Sequence, residues 1–118
     1  MVYIKINDVL YPAEVNGKMP DYDWDNRESK AITLEMDYAT AMATFVDGLA
    51  WSIVCTYPEI TGKDGEVIKL PDEEFDNSDY FVAGSVTDHR DGRVTVKMGK
   101  PTDAEMLAEL MEVLNEEA

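Results

Sequence analysis

Between Lys30 and Tyr57 the sequence KAITLEMDYATAMATFVDGLAWSIVCTY changes its apolar period twice, and that is the strongest constraint on the fold. From Lys30 to Met36 the residues alternate, with Ile32, Leu34 and Met36 on one side and Ala31, Thr33 and Glu35 on the other. A period of two marks a half-buried strand. Asp37 then offers a carboxylate to the free amides of a first helical turn. From Tyr38 the apolar positions become Tyr38, Ala41, Met42, Phe45 and Val46, one face of a helix over Tyr38–Asp47. Gly48 stands where a left-handed residue releases the chain from a helix. Trp51, Ile53, Cys55 and Tyr57 then line one face of a second strand. Strand, helix, strand is a scaffold, with Met42 and Phe45 expected against a sheet.

The flanking segments add hairpins. VYIKI and VLYPAEV face each other across Asn7-Asp8, two residues that tolerate the positive φ of a tight turn. That register sets Ile6 opposite Val9 and Ile4 opposite Tyr11. Pro12 has no amide to donate, so the second strand is expected at an edge there, and Asn16-Gly17 reads as the next turn. Beyond the central unit, Thr61 to Gly65 is a turn-rich tip before a short strand, Glu66 to Leu70. PDEEFDNSD, Pro71 to Asp79, reads as an exposed acidic loop with Phe75 tucked inward. Tyr80 to Met98 is a second hairpin: Tyr80, Val82 and Val86 share a face, as do Val94, Val96 and Met98, and Gly92 takes the left-handed position in the turn. Thr102 and Glu105 form a capping box for a last helix, 102–117, striped by Leu107, Leu110, Met111 and Leu114. That stripe is expected on the chain's own sheet, on a second copy or on a partner.

Together these elements predict one α+β domain over residues 1–118. It would hold a mostly antiparallel, hairpin-rich sheet of about six or seven strands, one inserted helix and a C-terminal helix. At 118 residues the chain is long enough to bury a core without staples. No apolar run reaches membrane-spanning length, and no export signal is recognisable at the N-terminus. The single Cys55 suits a reduced, buried thiol in cytosol rather than a nucleophile.

Charge restricts function further. The chain carries 25 acidic and 10 basic residues, net −15. Such a surface repels nucleic acid and anionic membranes and favours solvation or a basic protein partner. Phosphate-loop, dinucleotide, zinc and serine-hydrolase motifs are absent. One His and one Cys cannot build a His/Cys metal cage, and His89 at a hairpin tip lacks the burial and orienting partner that a general base needs. DYDWDN spaces three aspartates like the start of a calcium loop, but Asn26 stands where Gly is needed and Ile32 where the bidentate Glu belongs. No catalytic residue, metal site, cofactor or small-molecule substrate is therefore expected. In that loop Trp24 is expected to fold back onto the core and Arg27 to pair with local carboxylates; Trp24 and Arg27, the types on which interfaces most depend, are also candidate partner contacts. Glu73 in the acidic segment and Glu109 and Glu112 on the last helix are the others.

Two segments carry a resemblance. YIKINDVLYPAEV resembles the N-terminal hairpin, and DWDNRESKAITLEMDYATAMATFVDGLAWSIV the middle, of small proteins encoded in the tail modules of phages and prophages of Firmicutes. Asp8 departs from the glycine of that pattern. The resemblance implies a non-enzymatic structural or assembly protein, tail-associated, bound to other phage proteins or to itself. Its location would be the bacterial host's cytoplasm, with retention in the virion also open. It carries no functional residue across. The competing expectation, from charge alone, is an acidic decoy or inhibitor that mimics DNA and binds a basic site on a host protein.

Overall fold

A computed structural model describes residues 1–116. In chain order it contains β1 (Val2–Ile6), β2 (Val9–Asp21), β3 (Arg27–Glu35), α1 (Tyr38–Thr44), β4 (Ser52–Cys55), β5 (Ile60–Thr61), β6 (Val67–Ile68), β7 (Glu73–Asp76), β8 (Val82–Asp88), β9 (Arg93–Gly99) and α2 (Asp103–Glu116). Seven strands form one antiparallel sheet in the order β7-β4-β1-β2-β3-β9-β8, and β5 and β6 form a separate pair. The fold is α+β and mostly antiparallel. Glu117, assigned to the last helix from sequence, lies outside the described residues.

The sheet is organised around β2. Its first four residues pair with β1, in the register Ile6↔Val9 and Ile4↔Tyr11. Asn7 and Asp8 take φ of 51° and 65° in the turn between them. From Ala13 onward β2 pairs with β3 instead. Pro12 falls where the strand changes neighbours, so its missing amide leaves no ladder bond unmade on the β3 side. Inward side chains of the two halves meet in one cluster: Ile4 and Ile6 with Ile32, Leu34, Val94, Val96 and Met98, closed by Ala41, Phe45 and Trp51. The alternation of Lys30–Met36 is thus realised, with Ile32 and Leu34 buried and Met36 packed partly beneath them.

Several local expectations give way to pairing. Asn16 and Gly17 do not turn; they sit inside β2, opposite Ala31 and Lys30. Ile32 and Leu34 need Val15 and Ala13 beside them, and a turn at Asn16 would forfeit that ladder. The reversal comes at Tyr22–Asn26, where Asp25 and Asn26 adopt φ of 55° and 57°. α1 ends at Thr44, not Asp47, and buries Ala41 while Phe45 caps it. Met42 lies on the outer side, half exposed, contrary to its expected place against the sheet. Ile53 faces inward beside Ile4, yet Val54 on the opposite face is also buried, and Tyr57 lies beyond the strand. In β8 a bulge between Ala83 and Val86 shifts the register. Ala83, rather than Val82, therefore aligns with Met98. The segment read as an acidic loop supplies β7, which pairs with β4 and leaves Phe75 exposed. The open edge of β4 needed a backbone partner, and four residues were enough.

Two pieces stand off this body, the β5–β6 hairpin and the part of α2 beyond its first turn. They help stretch the molecule to 71 × 34 × 28 Å, with a radius of gyration of 18.2 Å. A compact chain of this length would have about 13–14 Å.

Candidate interaction site at the root of the C-terminal helix

Arg27 is the first residue of β3 and its side chain is 3% exposed. Of the two expectations for this segment, the structure follows the inward one: Trp24 folds back against Gly84 and Gly99 and Arg27 pairs with carboxylates, so Arg27 is not an open partner contact. The guanidinium donates to both carboxylate oxygens of Glu105, at 2.8 and 3.1 Å, and to the Lys100 carbonyl at 3.1 Å. Its carbon lies 4.4 Å from the centre of the Trp24 ring, a cation–π stack. Asp25 adds a looser contact at 3.6 Å. Arg27 Nε is buried without a hydrogen-bond partner among the described residues. The Trp24 ring reaches this position because Gly84 and Gly99 have no Cβ; one built on either would come within 3.0 Å of the ring.

Around this stack the ends of β2, β3 and β9 are tied together by polar groups. Asp21, 1% exposed, accepts from Ser29 Oγ and Lys97 Nζ, each at 2.9 Å, and from the Asp23 amide. The first carboxylate of the calcium-like spacing is therefore engaged by a lysine. Among the described residues no three His, Cys, Asp or Glu side chains gather to hold a metal ion. Nearby, Glu28 accepts from Tyr80 Oη at 2.8 Å and pairs with Lys100 at 2.6 Å, while Lys100 also reaches Asp79. Burial, then Glu28, pushes the Tyr80 hydroxyl up to about 12.

The capping box forms as the sequence predicts. Thr102 N donates to Glu105 Oε1 at 2.9 Å, and Glu105 N donates to Thr102 Oγ1 at 3.2 Å. Glu105 thus serves twice, capping α2 and clamping its first turn to Arg27. Beyond that turn the helix meets no other element among the described residues. Leu107, Leu110, Met111 and Leu114 are 55–58% exposed, so the stripe does not pack on the chain's own sheet. Glu109 and Glu112 are exposed on the same helix, which has no basic residue in its last turn. A groove of about 290 Å³ lies at the helix root, with Phe81, Val82 and Pro101 as its apolar part and Asp47, Glu105 and Glu109 around them. Glu73 lies far from all this in sequence, on the edge strand β7, hydrogen-bonded by the Tyr57 hydroxyl.

Sequence reasoning found the stripe and the capping box but missed the clamp. Arg27 and Glu105 are 78 residues apart, and no local pattern joins them. His89 sits exposed in its turn with Thr95 Oγ1 2.7 Å from Nε2. No helix among the described residues is long and apolar enough to cross a membrane. No family model, curated protein or solved structure matches the chain.

The clamp has a pH signature. Arg27, then the Thr102 amide, holds the Glu105 carboxyl down to about 2, against an ordinary 4.5. A depressed carboxyl stabilises the fold at neutral pH, and that contribution is lost as pH falls below the ordinary value and through the depressed one. Asp21 is shifted the same way by Lys97 and then Ser29. Proteolysis within α2 is therefore expected to accelerate as pH drops from about 4.5 towards 2, measured with an acid-active protease. Glu105→Gln should flatten that dependence while leaving the α2 root more accessible at neutral pH. An α2 equally resistant at both ends of the range would refute the clamp.

Proposed function

We propose that this protein is a non-enzymatic structural or assembly component of a phage or prophage, tail-associated and acting through protein–protein contacts in the cytoplasm of the bacterial host. The observation that supports this reading is α2: a capped helix, anchored at one end by a buried arginine, presents an uncovered apolar stripe. Holding leucines in water is unfavourable, by about 25 cal/mol per Å² of apolar surface, and a helix that does so is built to be covered. The sequence resemblance to tail-module proteins supplies the setting. Purification of the tagged protein from induced cells, followed by mass spectrometry, tests it. Tail or baseplate components are expected to co-purify in fixed ratio. A lone host polymerase, nuclease or repressor in their place would overturn the assembly reading.

That last outcome is the second reading, an acidic decoy for a basic site on a host protein. The net charge of −15 favours it, as does the edge strand β7 with Glu73, Glu74 and Asp76 side by side. A mimic of DNA has no use for the leucine stripe, and on that ground the assembly reading is preferred.

A further inference from the structure

We infer that two copies of this chain pair through the free edge of β2, antiparallel and centred on Asn16, so that the β2-β3-β9-β8 half of one sheet continues into that of the other. The inference holds under either reading of the function and concerns a surface that neither uses. It starts where β2 changes neighbours. Residues 9–12 pair with β1 and residues 13–18 with β3, and β2 meets no other element among the described residues. One side of residues 13–18 is therefore bare. Alternate residues of an antiparallel strand turn their N–H and C=O groups to opposite sides. The bare side thus presents donors and acceptors with no strand to receive them, a template for another strand. Glu14, Asn16, Gly17 and Lys18 are all exposed.

The two end strands of the sheet are closed to such pairing. β7 is four residues long and carries Glu73, Glu74 and Asp76. A second copy laid antiparallel on it sets Glu73 against Asp76, and like charges directly opposite destabilise a ladder. At the start of β8 the Phe81 carbonyl already accepts from the Gly48 amide, and the Ala83 amide donates to Asp47. A bulge between Ala83 and Val86 then breaks the line of that strand.

Charge selects a second copy as the occupant of the β2 edge. Pairing centred on Asn16 places Glu14 opposite Lys18 of the second copy, and Lys18 opposite its Glu14. Opposite charges directly across a ladder stabilise it, and two-fold symmetry makes the pair twice. Within the chain, Glu14 and Lys18 lie beside Thr33 and Ser29, and neither has an ion-pair partner within 4 Å among the described residues. On the inner face Val15, packed partly against the core, falls opposite Gly17 of the second copy. The missing side chain there lets the two valines meet diagonally. The chain is net −15, so two copies repel on average. Residues 9–19 hold one acid and one base, a neutral strip on an acidic molecule.

The test is sedimentation of the full chain at about 0.15 M salt, where charges farther apart than about 8 Å are screened. The pairing is short, so wild type is expected to dimerise as concentration rises towards millimolar. Hydrogen exchange should slow with it at residues 13–18 and not in β7. Glu14→Lys alone and Lys18→Glu alone each set like charges opposite, and each should weaken self-association about tenfold or more. Mixed in equal amounts, the two variants should pair with each other. Both stay strongly acidic overall, so their pairing reports the register and not net attraction. The double variant Glu14→Lys/Lys18→Glu should restore the dimer, and Leu110→Asp, on the α2 stripe, should leave it unchanged. Both β2 sites are exposed, and unchanged circular dichroism and thermal melting confirm folding. A wild type that stays monomeric throughout overturns the proposal. So do single variants that dimerise like wild type, a mixture that stays apart, or a dimer that Leu110→Asp dissolves.

Discussion

Trp51→Ala is expected to lower the stability of the fold by about 3–5 kcal/mol, the cost of deleting a large buried aromatic. Trp51 is 2% exposed and is the largest of the fully buried side chains. It stands just before β4 and closes the core over Ile4, Ile6 and the β3–β9 face. Its ring meets Tyr80 edge-on, centroids 6.5 Å apart at 64°, and its Nε1 donates to the Tyr80 carbonyl at 3.0 Å. Truncation therefore opens a cavity and also strands a carbonyl. Small domains are stable by only about 5–15 kcal/mol in all, so the loss takes a large share. Trp51→Phe keeps part of the volume and loses the hydrogen bond, and should fall between wild type and Trp51→Ala. Urea denaturation of the three proteins decides the matter. An unchanged midpoint for Trp51→Ala would mean that the ring does not close the core.

Gly84→Ala is expected to cost about 1–3 kcal/mol, in the range of overpacked sites, through a ring rather than through the backbone. A Cβ at Gly84 lies 2.6 Å from the far edge of the Trp24 ring and 3.0 Å from the Lys97 Cβ. The ring cannot retreat freely, because the Arg27 guanidinium stacks on it. Room can come only from displacing Trp24, and with it the stack that holds Arg27 against Glu105. The coupling is testable as a double-mutant cycle. In a Trp24→Ala background the ring is gone, and Gly84→Ala should cost much less than it does in wild type. Additive losses, measured by denaturant titration, would show that Trp24 is not what excludes a side chain at position 84.

The features legible in the sequence were those settled within a few residues. Asn7-Asp8 could turn because both tolerate positive φ, and the register of β1 and β2 followed from it. The same holds for Gly48 and Gly92, with φ of 88° and 87°, and for Thr102 with Glu105. Alternation placed Ile32, Leu34, Val94, Val96 and Met98 in the core, since a strand buried on one face repeats every second residue. What failed depended on distant neighbours. Asn16-Gly17 has the chemistry of a turn, yet β3 held it straight. Phe75 was expected inside, but the bare edge of β4 drew its segment out as a strand. Met42 sits on the correct helical stripe, but α1 is only seven residues long and the core accepts Ala41 and Phe45 instead. The clamp between Arg27 and Glu105 had no sequence signal, because the sheet alone brings the two together.

That clamp also makes the order of α2 depend on the sheet. A 14-residue helix rich in glutamate is marginal on its own. Its anchor, Arg27, is enclosed where β3 pairs with β9 and Trp24 lies over Gly84 and Gly99. Any loosening of that corner releases the leucine stripe with it, so the helix reports on the state of the sheet beneath.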